Sequence, residues 1–274
     1  MALPILWLCA AMLLKLLPLL LLTCSLAVAA AEADLGAVKS LASATAEAPV
    51  PAGALVGGVV IGSNARYQGQ DDLLLPVPGM VYFGDQFLYL GDRARYYFHQ
   101  DGEFSAFGYG RFRPGNLDPQ DTPELAGMDK RKWQLEGGLG ASLITPYALL
   151  TTRLTSDLTG TSHGQELMLW SDFPLLRDKL LVMPGCGLMW RSSKLANYYF
   201  GGVSADEATL ERPAHDTGDT WSLMASLVTS YRLNADWLVT LSGSVEQFDD
   251  GTADSPLIDH EREYVLLAGV GYVW

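Results

Sequence analysis

Every second residue near the chain's end is apolar or aromatic, in the run Tyr264, Leu266, Ala268, Val270, Tyr272, Trp274. The same two-residue period sets Trp133, Leu135, Leu139, Ala141 and Leu143 against Gln134, Glu136 and Ser142. It returns in Trp221, Leu223, Ala225 and Leu227 against Ser222, Ser226 and Ser230, and in Trp237, Val239, Leu241 and Val245 against Thr240, Ser242, Ser244 and Glu246. An amphipathic helix repeats its apolar positions every third or fourth residue, so these segments are strands with one face against an apolar medium.

Alternation by itself also fits a soluble sandwich or a lipocalin-like barrel, so the direction of the apolar face has to be argued. Trp133, Trp221 and Trp237 stand at strand ends beside Lys132, Asp219 and Asp236. A membrane barrel needs such an aromatic girdle, because an indole can sit at head-group depth with its N–H hydrated. Tyr272 and Trp274 extend the girdle at the last strand. Arg153, Asp157 and Glu246 interrupt the opposite faces in mid-strand, where a polar lumen accepts charge and an apolar core does not. The reading is all-β: a transmembrane antiparallel up-and-down β-barrel. Its strands are expected near 53–63, 73–83, 86–91, 93–99, 103–113, 133–144, 147–157, 164–173, 178–191, 217–232, 236–248 and 262–274. The count of twelve depends on splitting 86–99 at Gly91-Asp92. An even number keeps both termini on the periplasmic side, with ten strands as the alternative.

Ahead of this region, Leu3 to Leu22 is almost wholly apolar and gives way to small residues at Ala27, Ala29, Ala30 and Ala31, which predicts a secretory signal over residues 1–31. The one basic side chain there, Lys15, lies inside the apolar run. A start at Met12 would leave about 13 apolar-to-small residues after it, a normal h-region. Pro18 shortens the stretch below the ~20 apolar residues of a spanning helix. Cys24 follows Leu-Leu-Thr, a poor acylation box. Residues 32–52, rich in Ala, Ser and Pro, read as a periplasmic tail, and 53–274 as the barrel. Removing the signal leaves Cys186 as the sole cysteine, which argues against an internal disulfide or a cysteine metal site. The formal charge of -13, from 18 Lys+Arg and 31 Asp+Glu, comes with no basic run and argues against a nucleic-acid partner.

Several short motifs, taken in order, resemble the MipA/OmpV family of outer-membrane proteins. They are Tyr67-Gln68-Gly69-Gln70-Asp71-Asp72 with Leu75-Pro76-Val77-Pro78; Gly84-Asp85-Gln86-Phe87; Asp157-Leu158-Thr159-Gly160 with His163-Gly164; and Tyr198-Tyr199-Phe200-Gly201-Gly202-Val203. Tyr231-Arg232-Leu233 with Asp236-Trp237, Ala253-Asp254-Ser255-Pro256-Leu257 and Gly269-Val270-Gly271-Tyr272 complete the set. The terminal Trp and a sparse 114–132 loop depart from the family pattern. The resemblance implies an outer-membrane location in a Gram-negative bacterium and a scaffold that links a lytic transglycosylase and a penicillin-binding protein, murein hydrolase and synthase, to the outer membrane. Some members are tied to osmotic or antibiotic stress response. Such a barrel would meet outer-membrane lipid and lipopolysaccharide, and Tyr264 to Trp274 resembles the signal read by the barrel assembly machinery.

No cofactor is implied, and no catalytic or metal residues are assigned. His163 lies beside Ser162 and after Asp157, but a loop histidine in a tight turn accounts for it without catalysis. His99, His215 and His260 carry no motif, and Asp249-Asp250-Gly251 with Asp254 does not match an EF-hand spacing. Arg93, Arg95, Arg111, Arg113, Arg153, Glu136, Asp157 and Glu246 are candidate lumen charges. They would form either a lumen-filling salt-bridge network or an anion-selecting strip. A small channel or uptake porin is therefore the alternative function, and an outer-membrane hydrolase a third.

Overall fold

The computed structural model describes residues 48–274; the expected signal and most of the tail lie outside the described residues. The strands are β1 (Gly53–Ser63), β2 (Leu73–Phe83), β3 (Phe87–Tyr89), β4 (Arg93–Gln100), β5 (Phe104–Arg113), β6 (Gln134–Ile144) and β7 (Leu149–Asp157). They continue with β8 (Gln165–Asp172), β9 (Leu175–Arg177), β10 (Leu180–Arg191), β11 (Thr220–Arg232), β12 (Trp237–Gln247) and β13 (Arg262–Val273). Apart from β8 and β9, which both pair with β10, neighbours in sequence pair antiparallel, and β13 pairs with β1 from Leu55↔Val273 to Ser63↔Val265, closing the sheet. Closure leaves few backbone groups unpaired in lipid, which is why a sheet can span a membrane at all.

β8 and β9 both lie on β10, with Asp172 opposite Gly185 and Leu175 opposite Val182. They are two halves of one stave, broken where Pro174 has no N–H to give the ladder. The wall therefore has twelve staves, the count expected in preference to ten. The split at Gly91-Asp92 is real: β3 and β4 run antiparallel with Phe87 opposite Tyr96, and Gly91 takes a φ of 90°. Following the registers once around displaces the chain by about 16 residues, a shear that leans the strands roughly 45° from the barrel axis.

The two-residue period sorts side chains between the faces in a way that inverts a soluble protein. Leu139, Leu223 and Leu241 are 65%, 63% and 58% exposed, whereas Arg95, Arg111 and Arg153 are 1% exposed. Only a lipid-facing exterior makes that arrangement favourable, since burying an arginine while wetting a leucine costs free energy twice over. Trp221 and Tyr231, both outward on β11, are ten residues apart, about 23 Å along the axis at this lean. That is the height of a lipid belt.

The lumen is not uniformly polar, contrary to the sequence expectation. Its lower half, on the side of the tight turns, holds a buried apolar cluster of Phe83, Leu88, Tyr97, Phe107, Leu149, Leu181, Met183 and Val228, joined by Val50 from below. The inward rows of β2, β3, β5, β7, β10 and β11 each turn apolar toward the tight turns, and β4 joins them because Tyr96, Tyr97 and Phe98 place aromatics on both its faces, with Tyr97 packed edge-on against Phe107 at 5.5 Å.

The loops at the opposite end fold into a cap with its own core. Helix α1 (Ser193–Tyr199), helix α2 (Asp250–Ala253) and a 3-10 turn at Pro123–Leu125 lie within it. Tyr67, Leu117, Leu125, Met128, Leu195, Tyr199, Phe200, Val203, Phe248, Leu257 and Ile258 are all buried there. Eleven buried apolar side chains supply enough transfer free energy to hold loops in one conformation.

Candidate functional site

Under the cap, the inward rows of β5 to β12 converge as a charged cluster. Arg111 and Arg113 leave β5 on the same face, two residues apart, and meet Glu136 of β6 and Glu166 of β8. Arg111 Nη2 donates to Glu166 Oε1 at 2.7 Å, and Arg113 Nη2 donates to Glu166 Oε2 at 2.7 Å. Arg153 Nη2 adds a bond to Glu166 Oε1 at 3.2 Å, and Arg191 Nη1 reaches Glu246 Oε1 at 2.6 Å and Ser222 Oγ at 2.9 Å. Gln134 Nε2 donates to Glu136 Oε1 at 2.7 Å and accepts through its own oxygen from Ser162 Oγ at 2.7 Å. Glu166 is the hub: four guanidinium groups surround one carboxylate whose side chain is 1% exposed.

Aromatic faces take the remaining guanidinium planes. Arg153 lies 4.3 Å over the ring of Tyr109 and Arg95 4.8 Å over Phe107. Arg93 pairs with its neighbour Asp92 at 2.9 Å at the top of the short β3–β4 hairpin. Phe200, the lowest residue of the cap core, is approached by Arg191 at 3.9 Å, Arg66 at 4.6 Å and Arg113 at 5.6 Å. One ring thus couples the cap to the cluster through cation–π contacts, which strengthen on desolvation.

The family-resembling motifs meet in this cap. Tyr67 Oη donates to the Tyr199 carbonyl at 2.8 Å, Ser255 Oγ to the Gly201 carbonyl at 2.5 Å, and the Gln68 N–H to the Leu257 carbonyl at 2.9 Å. Gly201 has a φ of 113° and presses on Ser255, so both its backbone and its missing side chain are used. Burial holds the phenols of Tyr67 and Tyr199 above their ordinary range, which keeps both as donors. Arg131 Nη1 donates to Glu207 Oε1 at 2.7 Å and ties two loops together. Burial pushes the Glu207 carboxyl up, but the bonds from Arg131 and from the N–H groups of Asp129 and Ser204 outweigh it and hold the group at about 2.

Of the candidate lumen charges, Arg93, Arg95, Arg111, Arg113, Glu136, Arg153 and Glu246 are brought into the lumen, each buried. Asp157 stands apart: its oxygens accept the N–H groups of Thr159 at 2.8 Å, Ser162 at 2.8 Å and His163 at 2.9 Å, closing a turn. His163 has a φ of 55°, and Ser162 bonds to Gln134 rather than to the imidazole. Asp249 caps α2 and accepts the Trp221 N–H at 2.7 Å, and His215 Nε2 lies 2.8 Å from the Gly251 carbonyl. His99 and His260 are exposed beside Asp101 and Asp259. Among the described residues no group of three or more His, Cys, Asp or Glu could hold a metal ion. Glu166 and Arg191 belong to the buried charged cluster, although the sequence reading passed over them. Parity could have found both, since Glu166 shares its face with Met168, Trp170 and Asp172.

Trp133, Trp221, Trp237, Tyr272 and Trp274 all point outward and are exposed. Trp133 stacks on Phe112 at the capped end, and Trp237 meets Tyr272 edge-on at 5.5 Å at the other. In β13, Tyr264, Leu266, Ala268, Val270 and Tyr272 occupy one outward row.

A family model described as MltA-interacting protein MipA matches residues 56–274. The chain is similar to the MltA-interacting protein of Escherichia coli (strain K12), 28% identical over 211 residues, covering 75% of this chain and 84% of that one. It is also similar to outer membrane protein OmpV of Vibrio cholerae, 26% identical over 155 residues, covering 57% and 60% of the two chains. Among solved structures, the NanC porin is similar at a TM-score of 0.39 and 10% identity, covering 81% of this chain and 100% of that one.

Proposed function

Because the chain belongs to the MltA-interacting protein MipA family, we propose that this outer-membrane β-barrel works as a closed, non-enzymatic scaffold linking murein hydrolase and synthase to the outer membrane. The observation that carries the reading is the filled upper lumen. Glu136, Glu166 and Glu246 bind four arginines across it, and the folded cap sits on top. A barrel evolved to pass solutes has little use for two closures stacked on one axis, whereas a scaffold gains from a rigid wall and an ordered surface. The name of the Escherichia coli relative supports a lytic transglycosylase as one partner. The periplasmic rim is where murein enzymes would dock. Trp133, Trp221, Trp237, Tyr272 and Trp274 would serve as the interfacial girdle, and Tyr264 to Trp274 as the assembly signal.

Affinity capture from crosslinked cells tests the scaffold role. Recovery of a lytic transglycosylase with the wild-type barrel, and its loss when the barrel gene is deleted and an unrelated barrel is tagged instead, is the expected result. Unchanged recovery of the transglycosylase with the unrelated barrel would remove the proposal.

A further inference from the structure

We infer that the lower lumen is a binding cavity for a small apolar molecule, such as a single aromatic ring or a short alkyl chain, which enters sideways from the lipid through a notch between β2 and β5. The notch follows from strand lengths. With the lean of the wall taken into account, every stave reaches the capped end except β3 and β4, whose turn at Gly91-Asp92 stops about halfway up. β2 pairs along its whole length with β1, but with β3 only at Tyr82↔Tyr89 and Phe83↔Leu88. Among the described residues, the other edge of β2 from Leu73 to Val81 pairs with no strand.

That edge carries Pro76 and Pro78, both outward and exposed. The Gly84 N–H, of the same parity, donates to the Phe87 carbonyl at 2.9 Å, on the β3 side. By the two-residue period the nitrogens of both prolines face the notch, so the edge has lost two of the donors that an added strand would need. The opening is thereby kept from being zipped up by a partner strand or by a second copy of the chain.

Behind the notch lies a cavity of about 180 Å³, lined by Val59, Ile61, Val81, Phe83, Val228 and Leu267 and reaching out to Met80 and Gly91. Room for it exists at Gly79, where an added side chain would meet nothing within 4 Å; at neighbouring Gly57, Gly269 and Gly271 the missing side chains instead let Leu55, Val59 and the β13 backbone pack close. Buried Pro49, Val50 and Pro51 form the floor, and the arginine cluster and cap close the top, which leaves the wall as the way in. An apolar cavity of about 150 Å³ stays dry and takes up benzene, so this one suits a guest of that class.

The test uses the refolded barrel in liposomes with 3-trifluoromethyl-3-phenyldiazirine, a one-ring photolabel that partitions into lipid. Mass spectrometry is expected to find label at lumen-facing Val59, Ile61 and Val81 as well as at outward Val60 and Leu139. Excess toluene should abolish the lumen label and spare the outward label. Gly79→Leu, which fills the space, should abolish it too while heat-modifiable migration on gels is retained; Val81→Phe serves if that variant does not fold. The inference is overturned if Val60 and Leu139 are labelled while the lumen positions are not, or if lumen label survives the filling variant. It is equally overturned if Leu74→Cys or Met80→Cys, in a Cys186→Ser background, oxidises efficiently to a dimer, because a second copy would then cover the edge.

Discussion

Glu166 is the residue whose loss the upper lumen can least absorb. Its side chain is 1% exposed, and it accepts from Arg111, Arg113 and Arg153 at 2.7, 2.7 and 3.2 Å. Taking one partner from a buried ion pair typically costs about 3–5 kcal/mol, because the remaining charge stays desolvated. Glu166→Gln should therefore lower the unfolding free energy of the refolded barrel by about that amount, read as a lower urea midpoint by tryptophan fluorescence. Adding Arg153→Met should recover part of it; an unchanged midpoint in the single variant would mean the cluster is not holding the wall together. Glu207 makes a pH-dependent contribution of its own. Its folded carboxyl sits at about 2, below the ordinary value of 4.5, so its stabilising effect is full above that ordinary value and is lost as pH falls toward 2. Amide exchange at Asp129 and Ser204, whose N–H groups it accepts, should quicken across that window, and Glu207→Gln should flatten the dependence.

At the level of single strands, the orientation of β6 offers the sharpest check. Leu139 is 65% exposed and outward, so Leu139→Arg should cost roughly 2–4 kcal/mol for a barrel folded in lipid, measured by urea titration in liposomes. A neutral outcome would contradict a lipid-facing β6. β1, β2, β6 and β13 were legible to within a residue or two, because turn residues bound each of them and, in β6, outward Leu135, Leu139 and Leu143 alternate with inward Gln134, Glu136 and Ser142. β4 was legible as a strand but not for its faces, since Tyr96, Tyr97 and Phe98 give both sides the same chemistry. The break between β8 and β9 hides behind apolar residues on either side of Pro174, and α1 was read as loop because seven residues carry too little period to register. Asp157 misled for a different reason: parity puts it on the lumen face, but at the last position of β7 the carboxylate closes a turn instead.

For the molecule as a whole, the cap, the charged cluster and the apolar lower lumen lie one above another, and that arrangement dictates how ion flow should respond to their removal. Tyr67, Tyr199, Phe200 and Leu257 belong to loops far apart in sequence, so the cap could be read only as polar connections until tertiary packing brought its apolar residues together. The arginine–glutamate cluster beneath it draws on β5, β6, β7, β8, β10 and β12. Resistances in series add, so conductance is limited by whichever closure remains. Planar-bilayer recordings of the wild-type barrel should show no conductance steps. Replacing residues 200–216 by a short Gly-Ser linker should leave it silent, because the cluster still fills the bore. Glu136→Ala, Arg113→Ala and Glu166→Ala together should also leave it silent under an intact cap. The combined variant should stay silent as well, because the apolar cluster around Phe107 and the Pro49-Val50-Pro51 floor still fill the lower lumen; steps from the loop replacement alone would show that neither the charged cluster nor the lower lumen seals the bore.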